Sequence, residues 1–161
     1  MKPAIGEMAP DFNVVGVSEK GESHEVRLAD YRGQRVVLVF YPKDATPGCT
    51  QQACAIRDGW SQLEGRAKVF GVSVDPVKSH GKFIAKEGLP YTLLADEEHR
   101  MVEAYGVWVE KSMYGRKSMG TERSTFVIGP DGQIEAVLEK VSAKTHFDDL
   151  LAILEKLEAG K

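Results

Sequence analysis

Residues 35–58, RVVLVFYPKDATPGCTQQACAIRD, decide the fold of this chain of 161 residues. The opening run, RVVLVFY, is apolar after the arginine and rich in β-branched side chains, a pattern typical of a strand that is covered on both faces. Pro42 ends this strand. The sequence then predicts a helix with Thr46 as its N-cap and Pro47 in the first helical position, where the missing N–H of proline costs nothing. A buried strand that leads into a helix indicates an α/β protein.

On either side of this segment, the chain alternates strands with helices. Further strands are predicted at Asp11–Val17, His24–Leu28, Lys68–Asp75, Thr92–Ala95, Ser124–Ile128 and Glu135–Val141. Helices are predicted across about Ser79–Glu87, across Glu97–Tyr105 and from Phe147 to Leu157, the last behind a Thr145-x-x-Asp148 capping pattern. The segment KSMYGRKSMG, residues 111–120, is expected to be a solvated loop. These elements predict a mixed central sheet with helices on both faces and an N-terminal β-hairpin.

Composition and charge exclude several classes of protein. The 21 lysines and arginines and the 24 acidic residues leave a net charge of −3, which argues against nucleic acid or an anionic membrane as a partner. The longest apolar run, Val36 to Tyr41, is far shorter than the ~20 residues that cross a bilayer. The opening MKPAIGEMAPDF lacks the features of a secretory signal, so we expect a cytoplasmic protein whose residues 1–161 form a single domain.

Two cysteines, Cys49 and Cys54, narrow the range of chemistry. A secreted fold built on disulfides would hold several more. A structural zinc site needs four nitrogen or sulfur ligands in compact pairs, whereas the four histidines are scattered and the sequence contains no CxxC, CxxH or HxxxH pair. We therefore expect neither a metal nor another cofactor. In a reducing compartment, the two thiols are either buried filler or redox-active.

Cys49 occupies the third position of the predicted helix. A sulfur in the first helical turn faces unpaired backbone N–H groups and the positive end of the helix dipole, and both favour the nucleophilic thiolate over the thiol. The preceding residue, Gly48, has no side chain that would block a small substrate. The alternative is a small buried hydrophobic residue, which is the role of most free cysteines. The position directly after a buried strand favours the reactive thiolate.

Cys54 lies five residues further along the same helix. In an unbroken helix, this spacing places the two Cα atoms about 8.6 Å apart, whereas a disulfide tolerates only ~7 Å or less. The cysteines therefore either never bond, or oxidation unwinds the first helical turns. On this geometry, a redox role and a core position are equal alternatives for Cys54.

The run PKDATPGC, residues 42–49, matches the P-x-x-x-T-x-x-C signature of the peroxiredoxins, which are thiol peroxidases on a thioredoxin-like fold. The second cysteine in TPGCTQQAC resembles the bacterioferritin comigratory protein, or peroxiredoxin Q, branch of that family. The resemblance covers essentially the whole chain, through the blocks GEMAPDF, VVLVFYPK, GVSVDPVKSHGKF, LLADEEHRMVEAYGVW and ERSTFVIGPDG. It implies a thioredoxin-like α/β fold and a peroxidase activity.

The resemblance also implies a role for each residue of the motif. Cys49 matches the peroxidatic cysteine, whose thiolate attacks a peroxide oxygen and becomes a sulfenic acid. Thr46 matches the threonine whose hydroxyl contacts sulfur and peroxide, although a plain N-cap is the alternative. Pro42 matches the proline that shields the site from water, and Arg123 matches the arginine whose guanidinium stabilises the thiolate and the peroxide. Backbone N–H groups at Gly48 and Cys49 would complete the contacts to the substrate.

Cys54 matches the resolving cysteine, which condenses with the sulfenic acid to form an intramolecular disulfide that thioredoxin or a similar dithiol reduces. Hydrogen peroxide and organic hydroperoxides are the implied substrates, and an internal resolving cysteine makes a monomer sufficient. Without the resemblance, Arg123 is a solvated loop arginine. The resemblance implies that Gln52 lies beside the site, and an exposed polar residue on the helix is the equal alternative. The rival functions are a protein disulfide oxidoreductase, against which the C-x4-C spacing argues, and a redox-sensing interaction module.

Overall fold

The computed structural model describes residues 1–160 as nine β-strands, five α-helices and a 3₁₀ turn at Leu28–Tyr31. The strands are β1 (Asn13–Val17), β2 (Ser23–Arg27), β3 (Val36–Phe40), β4 (Lys68–Ser73), β5 (Thr92–Ala95), β6 (Trp108–Met113), β7 (Arg116–Thr121), β8 (Ser124–Ile128) and β9 (Ile134–Leu138). The helices are α1 (Pro47–Asp58), α2 (Trp60–Leu63), α3 (Val77–Glu87), α4 (Arg100–Ala104) and α5 (His146–Ala159). None of the helices described combines the length and the apolar character needed to span a membrane.

Seven strands form one sheet in the order β2-β1-β5-β4-β3-β8-β9, and β6 and β7 form a separate two-stranded sheet. Within the large sheet, β3 pairs with β4 and β4 pairs with β5 in parallel, whereas the other neighbouring strands are antiparallel. In this register, Val39 lies between Gly71 of β4 and Thr125 of β8. The predicted mixed sheet and N-terminal β-hairpin are therefore confirmed.

Alternate side chains of β3 point to opposite faces of the sheet and into two separate cores. Val37 and Val39 pack with residues of α1, α3 and α5 on one face. Val36, Leu38 and Phe40 pack with residues of α4 and of the N-terminal segment on the other face. All five residues of β3 are buried, as predicted for a strand covered on both faces. The carboxyl end of this central strand leads directly to α1, so α1 begins at the edge of the sheet where chemistry is expected.

The expectation of a solvated loop at residues 111–120 is wrong, because this segment forms most of the β6–β7 hairpin. Tyr114 and Gly115 make its two-residue turn with φ values of 53° and 77°. Positive φ at both central residues gives the turn a twist that matches that of the strands. β7 is exposed from Arg116 to Met119, so the alternation of apolar and polar residues that marks most strands is weak there.

The closing helix packs against α1 and fixes its position. α5 begins at His146 with Thr145 as N-cap, but the predicted side-chain cap does not form, because Thr145 has a ψ of −4° instead of the extended backbone that an N-cap residue usually has. Its hydroxyl donates to the Asp149 carboxylate instead (3.3 Å). The ring of Phe147 occupies the space where a side chain on Gly59 would lie. Gly59 is the residue that ends α1, so its missing side chain allows close contact between the two helices.

Candidate active site

The loop after β3 turns sharply before α1 begins. Tyr41 continues the pairing of β3 with β4, since its N–H donates to the Val72 carbonyl oxygen (3.0 Å). Ala45 then adopts a left-handed conformation with a φ of 62°, which alanine rarely does. Thr46 is the N-cap of α1 and Pro47 is its first residue, as predicted. The turn thus directs the N-terminus of α1 toward the carboxyl edge of the sheet.

The side chain of Thr46 makes a different hydrogen bond from the one that an N-cap usually makes. Its hydroxyl donates to the carbonyl oxygen of Lys43 (2.8 Å) and accepts no bond from a helical N–H of the described chain. The first bond within the helix runs from Thr50 N–H to Thr46 O (2.8 Å), so the N–H groups of Gly48 and Cys49 lie at the open end of the helix. The Thr46 oxygen keeps lone pairs for another donor. The first turn therefore offers both donors and an acceptor to a ligand.

Cys49 lies in this first turn and is 2% exposed. Its side chain belongs to the core between α1, α3 and the sheet. It borders a small cavity that is also lined by Val39, Tyr41, Gln52, Ala53, Ile56, Gly71, Phe83 and Tyr91. Both cysteines are free thiols. The structure thus represents the reduced form, with one sulfur at the helix start and surrounded by largely apolar residues.

The structure brings Arg123 to the first turns of α1. Its Nη1 donates to Gln52 Oε1 (2.5 Å), and its Nη2 lies 3.1 Å from the position that a Cβ on Gly48 would occupy. Gly48 and Gln52 lie on either side of Cys49 along the helix, so the guanidinium runs beside the turn that carries the sulfur. Arg123 is half-buried and held in place, so the interpretation as a solvated loop arginine is wrong.

Gln52 is a buried residue, and the interpretation as an exposed polar residue is also wrong. It is 2% exposed, and it lies three residues after Cys49, on the same side of the helix. Its Oε1 accepts the bond from Arg123, whereas its Nε2 has no hydrogen-bond partner in the described part of the chain. Because Gln52 lines the cavity beside Cys49, the unpaired amide offers a further donor at the site.

A second cation near the sulfur comes from the β6–β7 hairpin. Lys111 Nζ donates to the Thr121 carbonyl oxygen (2.7 Å). Burial lowers the pKa of Lys111 and the positive charge of Arg123 lowers it further, whereas the charges of Cys49 and Glu122 act in the opposite direction. The pKa of Lys111 thus responds to the charges of both Arg123 and Cys49. Sequence reasoning missed Lys111 because only the pairing of β6 with β7 directs it to the site.

Cys54 lies where α1 contacts the C-terminal end of α3. Its thiol donates to Glu87 Oε1 (3.4 Å), and Arg57 Nη1 donates to the Glu87 carbonyl oxygen (2.6 Å). Burial raises the pKa of the Cys54 thiol, the hydrogen bond to Glu87 raises it further, and the charge of Arg57 offsets part of this rise. Since α1 is continuous from Pro47 to Asp58, helix geometry keeps the cysteine Cα atoms about 8.6 Å apart. Cys54 is thus a protonated thiol beyond disulfide range of Cys49.

Replacing Glu87 with glutamine is expected to lower the pKa of Cys54. The substitution removes the negative charge and the carboxylate acceptor that favour the protonated thiol, whereas burial, the largest cause, remains. In a Cys49→Ser background, the rate of Cys54 alkylation by iodoacetamide should therefore reach its midpoint at a lower pH. Glu155→Gln, an exposed position on α5, is the matched control and should leave the midpoint unchanged. An identical pH profile for Glu87→Gln and the control would show that Glu87 does not govern this thiol.

Two further observations complete the description of the site. Pro42 is half-buried two residues after the end of β3, at the start of the loop that leads to Thr46. Across residues 1–160, no group of three His, Cys, Asp or Glu side chains could hold a metal ion. The groups at the start of α1 are the Cys49 thiol, backbone N–H groups, the Thr46 hydroxyl, the Gln52 amide and the Arg123 guanidinium.

Known proteins resemble this chain over nearly its full length. The model of the AhpC/TSA family matches residues 5–137. Peroxiredoxin Bcp of Bacillus subtilis is 44% identical over 154 residues, which cover 95% of this chain and 96% of the relative. Peroxiredoxin Bcp of Escherichia coli is 42% identical over 147 residues, which cover 91% of this chain and 92% of the relative. A crystal structure of a Xylella fastidiosa PrxQ mutant has a TM-score of 0.87 at 35% identity and covers 99% of this chain and 98% of that one.

The chain therefore belongs to the AhpC/TSA family, and its fold is the thioredoxin-like fold of the peroxiredoxins. Within that family, its relatives at this level of identity are peroxiredoxins of the Bcp, or PrxQ, type. Peroxiredoxins are peroxidases and hence oxidoreductases, so the chain is an enzyme of this class. The family and the fold predicted from the sequence are confirmed.

Proposed function

We propose that this enzyme reduces hydroperoxides with Cys49 as its nucleophile. The observation that carries the proposal is the placement of Arg123 and Gln52 beside the helical turn that holds this sulfur. The Cys49 thiolate attacks one peroxide oxygen, so that an S–O bond forms while the O–O bond breaks. The departing oxygen takes a proton and leaves as water or as an alcohol, and Cys49 becomes a sulfenic acid. The thiolate loses two electrons and the peroxide gains them.

The surrounding groups each have a task in this step. The N–H groups of Gly48 and Cys49, together with Arg123, would stabilise the negative charge that develops on the leaving oxygen. Because the Thr46 hydroxyl donates its own hydrogen to Lys43, its oxygen is free to accept the O–H of a hydroperoxide and so to orient the O–O bond. Pro42 would limit the access of water. Positioning and electrostatics supply the catalysis, and no cofactor is needed.

The proposed substrates are hydrogen peroxide and organic hydroperoxides. They share the O–O group, and the donors and acceptor at the start of α1 address only that group. The bacterioferritin comigratory protein of Xanthomonas campestris, 35% identical with a TM-score of 0.82, is described as having an alkyl peroxide reduction activity. Thr46 and Arg123 are each half-exposed, which is compatible with an alkyl group that remains outside the protein.

The second half of the cycle is assigned to Cys54. Its sulfur attacks the sulfur of the Cys49 sulfenic acid, an S–S bond forms, the S–O bond breaks, and hydroxide leaves as water with the proton of the Cys54 thiol. Thioredoxin or a similar dithiol protein would then reduce the disulfide by thiol–disulfide exchange. Because both cysteines lie on one helix, a monomer can complete the cycle. The reducing cytoplasm is the compartment in which this recycling can operate.

The test of this function is the reaction of the reduced protein with hydrogen peroxide in a stopped-flow instrument. We expect one equivalent to be consumed rapidly, and continuous consumption when thioredoxin, its reductase and NADPH are added. Cumene hydroperoxide, assayed in the same way, represents the organic substrates. A protein disulfide oxidoreductase would exchange with thioredoxin but leave peroxide intact. A redox sensor would react once with peroxide and show no turnover. The absence of peroxide consumption and the absence of turnover would each overturn the proposal.

Oxidation is also expected to unwind the first turns of α1, because a regular helix holds the two cysteines too far apart to bond. Each lost backbone hydrogen bond costs only ~0.5–1.5 kcal/mol when water replaces the partner, so disulfide formation can drive the change. Amide hydrogen exchange should show lost protection at residues 46–55 in the oxidised form, with mass spectrometry confirming the loss of two hydrogens and no covalent dimer. α4, on the opposite face of the sheet, is the internal control. Equal protection of residues 46–55 in both forms would mean that the internal disulfide does not form.

A further inference from the structure

A buried polar cluster lies beneath the loop that precedes Thr46 and takes no part in the chemistry described above. The Asp44 carboxylate is at its centre: Oδ1 accepts from the Tyr41 hydroxyl (2.6 Å), and Oδ2 accepts from the Ser79 hydroxyl (2.7 Å) and lies 2.7 Å from His80 Nδ1. The side chains of Asp44 and His80 are 3% and 0% exposed. A carboxylate that far from water is retained only where its partners satisfy it, and this one has three.

The pattern of donors assigns one shared proton to Asp44 and His80. The other ring nitrogen, His80 Nε2, lies 2.9 Å from the Leu94 carbonyl oxygen, which can only accept, so Nε2 carries a hydrogen. The 2.7 Å contact between Nδ1 and Asp44 Oδ2 requires another hydrogen, held as imidazolium and carboxylate or as imidazole and carboxylic acid. Burial and the charge of Asp44 raise the pKa of Tyr41, so its phenol stays protonated and donates. Each member of the cluster is therefore hydrogen-bonded.

The main chain of Asp44 is anchored as firmly as its side chain. Its N–H donates to Asp75 Oδ2 (2.8 Å), and the same oxygen accepts from the Ser73 hydroxyl (2.6 Å). Ser73 is the last residue of β4 and Asp75 lies two residues beyond it, whereas His80 lies on α3 and Leu94 lies on β5. Asp44 is thus bonded directly to α3 and to the loop after β4, and through His80 to β5, but not to α1.

The residues that Asp44 holds are its two neighbours in the chain. The Lys43 carbonyl oxygen accepts a hydrogen bond from the Thr46 hydroxyl (2.8 Å), and Ala45 has the left-handed φ of 62°. An inward-turned side chain at position 44 maintains this unusual conformation, because relaxation of Ala45 would pull the carboxylate out of its cluster. The direction of the Thr46 hydroxyl and the position of the first turn of α1 depend on this conformation of Ala45.

We propose that the Asp44–His80 pair is a positioning unit that fixes Thr46, and through it the approach of the peroxide to Cys49; this inference rests on the proposed function. The pair touches neither sulfur nor substrate. Its loss changes the alignment of the O–O bond with the sulfur rather than the supply of thiolate. A misplacement of about 1 Å at a reacting centre can cost on the order of 100-fold in rate.

Two rates measured on the same folded variants separate positioning from general stability. We expect Asp44→Asn and His80→Gln each to slow the first turnover of hydrogen peroxide by roughly 10- to 100-fold. Alkylation of Cys49 by iodoacetamide requires the thiolate but not Thr46. Because only the alignment of the peroxide is lost, the alkylation rate of each variant should stay within about twofold of the wild-type rate. The double variant should be no slower than the slower single variant, because both substitutions break the same contact.

Glu135→Gln is the matched control, since it breaks the partly buried ion pair (2.7 Å) between Glu135 of β9 and Arg35, the residue before β3. It should lower the free energy of unfolding in urea without changing the peroxide rate. If neither cluster variant folds, Ser79→Ala can replace them, because it removes one donor to Asp44. It should slow the peroxide reaction by a smaller factor and leave the rate of Cys49 alkylation unchanged. This inference would be overturned if the folded cluster variants reduced peroxide at the wild-type rate. It would also be overturned if their peroxide and alkylation rates fell by the same factor. If the wild-type protein failed to consume peroxide, the proposed function would be overturned instead.

Discussion

Cys49→Ser is expected to reduce the rate of peroxide consumption to the uncatalysed background, the largest effect of any single substitution in this chain. A serine hydroxyl is not ionised near neutral pH, so no nucleophile remains at the start of α1. Cys54 cannot replace it, because burial and Glu87 raise the pKa of that thiol, and it lacks the donors that surround Cys49. Single-turnover stopped-flow measurements with hydrogen peroxide would record the loss.

Cys54→Ser is the informative partner of this experiment. This variant should still consume one equivalent of peroxide at a rate close to that of the unchanged protein, since Cys54 enters only after the O–O bond has broken. Its product should be a sulfenic acid on Cys49, detected by mass spectrometry as the addition of one oxygen, and excess peroxide should convert it to the sulfinic acid. If Cys54→Ser reacts no faster than Cys49→Ser, the assignment of the two roles is wrong.

The segment around β3 and α1 was predictable because its determinants are local. A run of β-branched residues specifies a strand buried on both faces, and Thr46 followed by Pro47 specifies the start of a helix. The structure has both, with Cys49 in the third helical position. The hydroxyl of Thr46 was not predictable, because its partner is a carbonyl oxygen that depends on the left-handed turn at Ala45.

Contacts between distant residues explain most of what the sequence alone does not show. Cys54 and Glu87 are 33 positions apart, and Gln52 and Arg123 are 71 apart. Family resemblance identifies Arg123, but only the structure shows that Gln52 is buried and holds it. Lys111 was not identified from the sequence because the β6–β7 hairpin that carries it was not predicted. An exposed hairpin has little alternation of apolar and polar residues, and its Tyr-Gly turn lacks the asparagine or aspartate that is typical of such turns.

The same limit applies to the cluster beneath the loop. Aspartate is usually a surface residue and histidine is intermediate in burial, and nothing near Asp44 in the sequence indicates that its carboxylate turns inward. The parallel pairing of β3, β4 and β5 brings His80 and Leu94 under the loop. Local sequence therefore determines which residues can react, and the topology of the sheet determines which residues hold them in place.

Arg123→Met is expected to have the second-largest effect, a slower peroxide reaction by the ~2–4 kcal/mol that the loss of one positioned donor typically adds to a barrier. Methionine keeps much of the side-chain volume but removes the charge and the fork of N–H donors beside Gly48 and Gln52. Both the thiolate of Cys49 and the leaving oxygen lose stabilisation. Arg123→Lys should recover only part of the rate, because an ammonium keeps the charge without the planar fork.

The measurement for Arg123 is the second-order rate constant with hydrogen peroxide, paired with the rate of Cys49 alkylation by iodoacetamide. Arg116→Met, on the exposed part of β7, is the control for the loss of one positive charge and should change neither rate. Peroxide reduction should fall further than alkylation in Arg123→Met, because only the peroxide reaction places charge on a leaving oxygen that the guanidinium can reach. A peroxide rate equal to that of the Arg116 control would show that the guanidinium contributes nothing at the sulfur, and the site would then consist of the first turn of α1 alone.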